Sequence, residues 1–315
     1  MIEGVQVATV LLAAPLLVGW VRALKCWSQG RSTAGLFQPY RDILRLFSKD
    51  IVLAENASWV FRAAPYVVFG ATLMAGAIIP VISVKAPLAA TADVIALVAL
   101  FAIARFFTAL AGMDAGTAFG GMGSSREMMV ASLAEPALLM SVFTVSLVTR
   151  STSITEMVRV LSTGPFVLRP SLAFAFLSFA IIAMAETGRV PVDNPSTHLE
   201  LTMIHEAMIL EYSGRHLALM EWAGMMKLFL FSSLAIALFF PWGIAGMGGW
   251  LAGTAGLAGL PAAFFFLALK LALAGVAIVF VETGLAKMRI FRVPEFLGTA
   301  FILATLGMLS YFMLE

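Results

Sequence analysis

Apolar positions in this chain come in long runs rather than in stripes. Eight stretches, at about 5–25, 62–84, 92–112, 126–149, 168–187, 217–240, 252–282 and 295–314, carry hardly a charge. Each approaches the roughly 20 residues that a helix needs to cross the hydrocarbon core of a bilayer. Backbone groups in lipid must bond to one another, so such runs are helices. The pattern predicts an all-α polytopic membrane protein of eight transmembrane helices, forming a single domain over residues 1–315. Small residues and ionisable groups interrupt the third and fourth runs and the ends of the seventh. Only Glu3 is charged ahead of the first run, and no small-residue cleavage site follows it, which predicts an uncleaved helix rather than a signal peptide.

In one segment, about 36–50, the runs give way to a stripe. FQPYRDILRLFSKD sets Phe37, Ile43, Leu44 and Phe47 roughly on one helical face and Arg41, Asp42, Arg45 and Lys49 largely on the other. That is the pattern of an amphipathic helix in the membrane interface, serving as a headgroup-level connector or as a docking helix for a partner.

Composition agrees with the pattern: 61% of residues are hydrophobic and 12% charged, against roughly 25% charged in soluble domains. The net charge of +2 says little and gives no reason to expect a nucleic-acid partner. The distribution of basic residues says more. Lys25, Arg31, Arg41, Arg45 and Lys49 lie in the first loop, Arg189 and Arg215 in the fifth, and Lys287, Arg289 and Arg292 in the seventh. Eight spans put these loops on one side, and the positive-inside rule makes that side cytoplasmic with both termini outside. Arg150, Arg159 and Arg169 in the fourth loop weaken this bias without reversing it. Cys26 stands alone, excluding an internal disulfide and a cysteine-ligated cluster within this chain.

Charges inside the spans are functional candidates, because an ionisable group in lipid is costly unless it faces the bundle interior or a wet cavity. Arg105, Glu135, Glu186, Lys227, Lys270 and Glu282 are such residues. Glu135 follows about nine residues of its own span and points to a proton site or a buried ion pair. Arg126, Glu127 and Glu221 lie near span ends, where snorkelling is an adequate explanation.

The densest group is AETGRVPVDNPSTHLELTMIHEAMILEYSG at 185–214, a loop predicted at about 186–215, with five carboxylates and two histidines. Two prolines and a glycine after Glu186 stop the fifth helix. Ser196 is a plausible N-cap for renewed helix. Crowded carboxylates in a low dielectric titrate nearer neutrality, so Glu186, Asp193, Glu200 and Glu211 with His198 and His205 are a candidate proton relay. The alternative is a solvated loop whose acids sit ionised and idle. A metal site is disfavoured: His198 and His205 would lie about 10 Å apart on a helix. GTAFGGMG reads as a glycine-rich loop at a span boundary.

AETGRVPVDNP followed by LEYSG is similar to the signature of subunit 1 of respiratory complex I and its bacterial counterparts, and GLFQPYRDILRLF resembles that family's segment after its first span. FAIARFF, AGMDAG, SREMMVASLAEP and EYSG are more similar to the membrane subunit of energy-converting hydrogenases and formate hydrogenlyase. The resemblance covers most of the chain. It implies a membrane subunit beneath a peripheral redox module, with hydrogenase-like large and iron–sulfur small subunits and antiporter-like membrane subunits as partners, in a bacterial or archaeal cytoplasmic membrane. No cofactor is expected on this chain; iron–sulfur clusters, with nickel–iron or quinone centres as further options, belong to the partners. By the resemblance Arg126 and Glu135 match a buried pair, and Arg189 belongs to the loop signature. Arg105, Lys227 and Lys270 are expected as charge partners, and Arg41, Asp42, Arg45, Tyr212, Arg215, Lys287 and Arg289 as docking residues for the peripheral arm. The chain departs from the family in having Gly188 in place of asparagine, Ser196, Thr197 and His198 in place of acids, and Arg31-Ser32-Thr33 in the first loop. These departures point to a divergent relative.

Three functions fit the residues: a non-catalytic coupling subunit of a redox-driven proton pump, a stand-alone secondary transporter, or a structural anchor with its charges locked in fixed pairs.

Overall fold

The computed structural model describes residues 2–33, 35–54, 56–83, 93–163, 169–193, 203–242, 260–285, 288 and 292–314. Eleven helices are described: α1 (Ile2–Ser28), α2 (Gln38–Phe47), α3 (Trp59–Ile78), α4 (Val94–Asp114), α5 (Ala118–Thr149), α6 (Ile154–Thr163), α7 (Pro170–Glu186), α8 (His205–Ile209), α9 (Gly214–Phe239), α10 (Leu260–Gly284) and α11 (Val293–Leu314). Among the described residues seven of them are long and apolar enough to cross a membrane; α7, apolar but only 17 residues long, is the eighth member of the bundle. The eight long apolar runs in the sequence correspond to these helices.

Helix α9 is the central pillar, packing on α1, α2, α3, α6, α7 and α10. Phe231 of α9 stacks on Phe101 of α4 at 4.9 Å between ring centres and approaches Phe179 of α7 at 6.0 Å. All three rings are fully buried. Small residues set the other main contact. Ser171, Ala175 and Ser178 of α7 face Ala300, Ala304 and Gly307 of α11, and the Ser178 hydroxyl donates to the Ala300 carbonyl at 2.7 Å. Close backbone approach between small residues is the usual means of helix association in lipid.

Two segments depart from expectation. The amphipathic segment is helical, but α2 does not lie at the end of α1. Its Tyr40 hydroxyl donates to the Leu12 carbonyl, Asp42 lies 3.9 Å from Arg22, and Phe47 packs edge-on against Trp222. The helix therefore runs alongside the body of α1 and α9, with Ile43 buried and Leu44 outward. The glycine-rich GTAFGGMG is not a loop, because α5 begins at Ala118 and runs 32 residues. Thr117 caps it, accepting the Gly120 amide. Its glycines are packing sites: a Cβ on Gly123 would meet Ala207 Cβ and the Ile204 carbonyl oxygen at 2.9 Å. Helix α8 seats there.

Candidate functional site

The site exists because α7 stops early. Its last residue, Glu186, sits beside Lys227, which is thirteen residues into α9, or about 20 Å along that axis at 1.5 Å per residue. Gly188 follows with φ +59°. The Gly188 and Arg189 amides return to the carbonyls of Ala185 and Met184 at 3.1 and 3.0 Å. This Schellman closure needs a left-handed residue, which glycine and asparagine supply at least cost. The chain then turns through a cis Val190–Pro191 bond to Asp193, which is buried. Asp193 Oδ2 accepts the amides of Ile204 and His205 at 3.3 and 3.1 Å, capping α8 from across the loop.

Arg105 of α4 is the hub. Its guanidinium donates to Glu135 of α5 at 2.6 Å and to Glu186, and lies 3.7 Å from Glu127. Lys227 Nζ is 2.9 Å from the second oxygen of Glu186, as an ion pair without hydrogen-bond alignment. The Arg105 and Glu186 side chains are 4% and 1% exposed. Glu186 carries its negative charge at a helix C-terminus, where the peptide dipole opposes it; two cations offset that cost. Glu135 differs in being 36% exposed, so the network starts deep in the bundle and reaches its outer flank.

A second cluster lies towards α1 and α10. Glu282, 3% exposed, takes Arg189 at 2.7 Å and Lys25 at 2.8 Å. Between the clusters is a polar cavity of about 370 Å³, whose wall includes Arg22, Glu186, Arg189, Asp193, His205 and Glu221. Past Lys227 a smaller pocket of about 30 Å³ adjoins Arg105, Thr108 and Glu127.

The structure thus gathers Arg105, Glu135, Glu186, Lys227, Arg189, Asp193 and His205 around one region, and leaves other expected members elsewhere. Arg126 does not hold Glu135. Nine residues along one helix place them about 13 Å apart, and Arg126 donates to the Met203 carbonyl at 2.9 Å. Arg105 takes that role instead. Lys270 donates to the Phe240 carbonyl at 2.6 Å and to the Trp242 carbonyl, at the far end of α9 and away from any described carboxylate partner. Glu211 is exposed and stands outside the network. Tyr212 is not a docking residue: it is buried, stacks on Phe61 at 4.0 Å and donates to the Phe61 carbonyl at 2.9 Å. Burial pushes its phenol well above the usual range. Arg41, Arg45 and Arg215 are exposed, whereas Asp42 is tied to Gln38 and Arg22. His198, Glu200, Lys287 and Arg289 lie outside the described residues, as does the proposed cap Ser196.

Sequence reasoning did not assign Glu127, Glu282, Lys25, Arg22 or Asp114 a place in this arrangement. Glu282 carried a signal, being an acid within a span. Asp114, in the AGMDAG segment, accepts the amides of Ser58 and Phe61 at 2.9 and 3.3 Å and so caps α3 from the end of α4. Nothing local in the sequence announces a cap supplied by another helix.

An eight-helix membrane bundle with a carboxylate–cation network running from a polar cavity to its flank defines the class: a polytopic membrane protein built to hold charge in its interior. The chain belongs to the NADH dehydrogenase family, whose model matches residues 2–313. It is 32% identical to formate hydrogenlyase subunit 4 of Escherichia coli over 97% of this chain and 96% of that protein. It is 33% identical to hydrogenase-4 component C of the same organism over 76% of this chain and 75% of that one. A membrane subunit of the NADH-quinone oxidoreductase of Phocaeicola vulgatus is 27% identical over 69% of this chain and 59% of its own. The fold is that of a chain in the membrane-bound sulfane sulfur reductase, an archaeal respiratory membrane complex, with a TM-score of 0.81 over 98% of this chain and 99% of that one.

Proposed function

We propose that this chain is the membrane-embedded coupling subunit of a multi-subunit, ion-translocating oxidoreductase, linking electron transfer in a peripheral module to proton movement. The observation that carries the reading is the network itself. Glu186–Arg105–Glu135 is a continuous chain of charge-assisted contacts from the edge of a wet cavity to a half-buried carboxylate on the flank of α5. A carboxylate left open on a lipid-facing flank is costly, so another membrane subunit covers Glu135 in this reading. Antiporter-like subunits are the partners that fit.

The cavity faces the end of the bundle where α1, α4 and α7 finish and α3, α5, α9 and α11 begin. The basic first, fifth and seventh loops make this the cytoplasmic side, with both termini outside. There the exposed Arg41, Arg45 and Arg215 would meet the peripheral arm, formed by hydrogenase-like large and iron–sulfur small subunits. Iron–sulfur clusters, and any nickel–iron or quinone centre, reside in those partners. A charge change at the cavity shifts the balance of Glu186 between Lys227 and Arg105, and Arg105 passes that shift to Glu135. Such proximity coupling in a low dielectric is worth several times its strength in water.

Mild-detergent purification on the tagged chain, with mass spectrometry of what accompanies it, tests the reading. Iron–sulfur, hydrogenase-like and antiporter-like subunits are expected. An intact preparation holding this polypeptide alone would instead favour a stand-alone transporter. Replacing Glu135→Gln should leave assembly unchanged and abolish proton movement in vesicles; unchanged movement would remove Glu135 from the path.

A further inference from the structure

The polar cavity and the small pocket beside Arg105 share a thin wall of four residues: His205, Met220, Gly224 and Lys227. Gly224 is the weak point of that wall. It lies ten residues into α9, and a Cβ built on it would meet nothing within 4 Å. The small pocket, at about 30 Å³, is large enough for a water molecule. It is also polar enough to hold one. Thr72 and Thr108 line it and donate their hydroxyls backwards to the carbonyls of Val68 and Ala104 at 2.9 and 2.8 Å, which leaves oxygen lone pairs as acceptors.

Resting on the coupling function above, we propose that the gap at Gly224 is the passage for water and protons from the cytoplasmic cavity to the Arg105–Glu127 pocket, and that His205 is the gate residue beside it. Glycine keeps the passage open because any side chain there would project into it. His205 is held at the wall by Asp193, which accepts its backbone amide at 3.1 Å, and by the close seating of α8 on Gly123. On the cavity side the imidazole shares its surroundings with Glu186 of α7, Glu206 of α8, Glu221 of α9 and Arg22 of α1, as well as with Arg189 and Asp193 of the loop. On the pocket side it meets Arg105 of α4 and Glu127 of α5, while Lys227 of α9 borders both spaces. Of the two ionisable wall residues, Lys227 is committed to Glu186. Imidazole is the group able to take up and release a proton near neutral pH.

The test uses the assembled complex in a Cys26→Ser background carrying Gly224→Cys, with Gly224→Ala as an unlabelled control. The probe is the impermeant thiol reagent methanethiosulfonate-ethyltrimethylammonium, applied from the cytoplasmic side. The thiol should be modified, and modification should cut proton movement, driven by reduced methyl viologen, by about tenfold or more while the subunits stay together. His205→Gln should flatten the pH dependence of proton movement across roughly pH 6–7, which a merely structural role would not do. An unreactive thiol in the assembled complex overturns the proposal, and so does modification that leaves proton movement unchanged. Glu135→Gln separates the two levels. If it stops proton movement while the labelled Gly224→Cys complex continues, only the gate is lost. If neither change matters, the coupling function falls and the gate with it.

Discussion

Glu186 is the residue on which the interior charge balance turns. It is buried between two cations, and its removal leaves Arg105 and Lys227 with an uncompensated charge. Breaking a buried pair from one side costs about 3–5 kcal/mol, whereas removing both partners is far less damaging. Glu186→Gln should therefore lower the melting temperature of the purified chain sharply. Lys227→Met in the same background should recover part of the loss, and a double-mutant cycle on thermal unfolding measures the difference. Glu135, more than a third open, should tolerate the same change with little loss of stability.

Tyr212 makes a pH prediction of definite sign. Its phenol is raised above the ordinary value of 10.0 by burial, so the folded state keeps a proton that the unfolded state releases. That contribution is complete below about pH 10 and is lost as pH rises towards the folded value. Wild-type stability should fall with pH above about 10, and Tyr212→Phe should lack that slope while being about 1 kcal/mol less stable at neutral pH. A melting series from pH 7 to about 11 checks both.

At the scale of elements, the length of α7 decides whether there is a cavity. The Schellman closure at Gly188 ends the helix with Glu186 inside the bundle instead of at its rim. Glycine and asparagine both accept the left-handed conformation there, which gives a physical reason for the exchange of asparagine for glycine at this position. Gly188→Asn should be nearly neutral, and Gly188→Val should cost roughly 1–2 kcal/mol or more because of its β-branch. Thermal stability and reagent access to the cavity in the two variants distinguish them. Helix α8 illustrates the other side of element design. It has five residues and little stability of its own, and it holds because Asp193 caps it and Gly123 lets it close on α5.

For the whole molecule, two charge clusters flank one wet cavity, and only the first continues to the flank of the bundle. The Glu282 cluster ties α1 and α10 to the loop through Lys25 and Arg189. Removing it should loosen the seating of α10, a helix that otherwise packs mainly on α1. Glu282→Gln is expected to impair assembly before it affects the coupling path, and co-purification yield compared with that of Glu135→Gln checks this order.

Apolar run lengths sufficed to read the helices and their number from the sequence, because the requirement that a backbone in lipid bond to itself leaves no other structure for such runs. The acidic loop was legible for the same reason: charges are rare enough in a membrane chain that any cluster stands out. What the sequence could not settle was partnership. Arg126 and Arg105 are equally charged and both lie near Glu135 in the chain, yet helix rise separates the first from it and the packing of α4 on α5 brings in the second. Run length also could not reveal that α2 lies along α1, that GTAFGGMG is helical packing surface, or that Tyr212 is buried. Those outcomes depend on which faces of different helices meet. Hydrophobicity marks where a span lies, and only close packing decides which charge answers which.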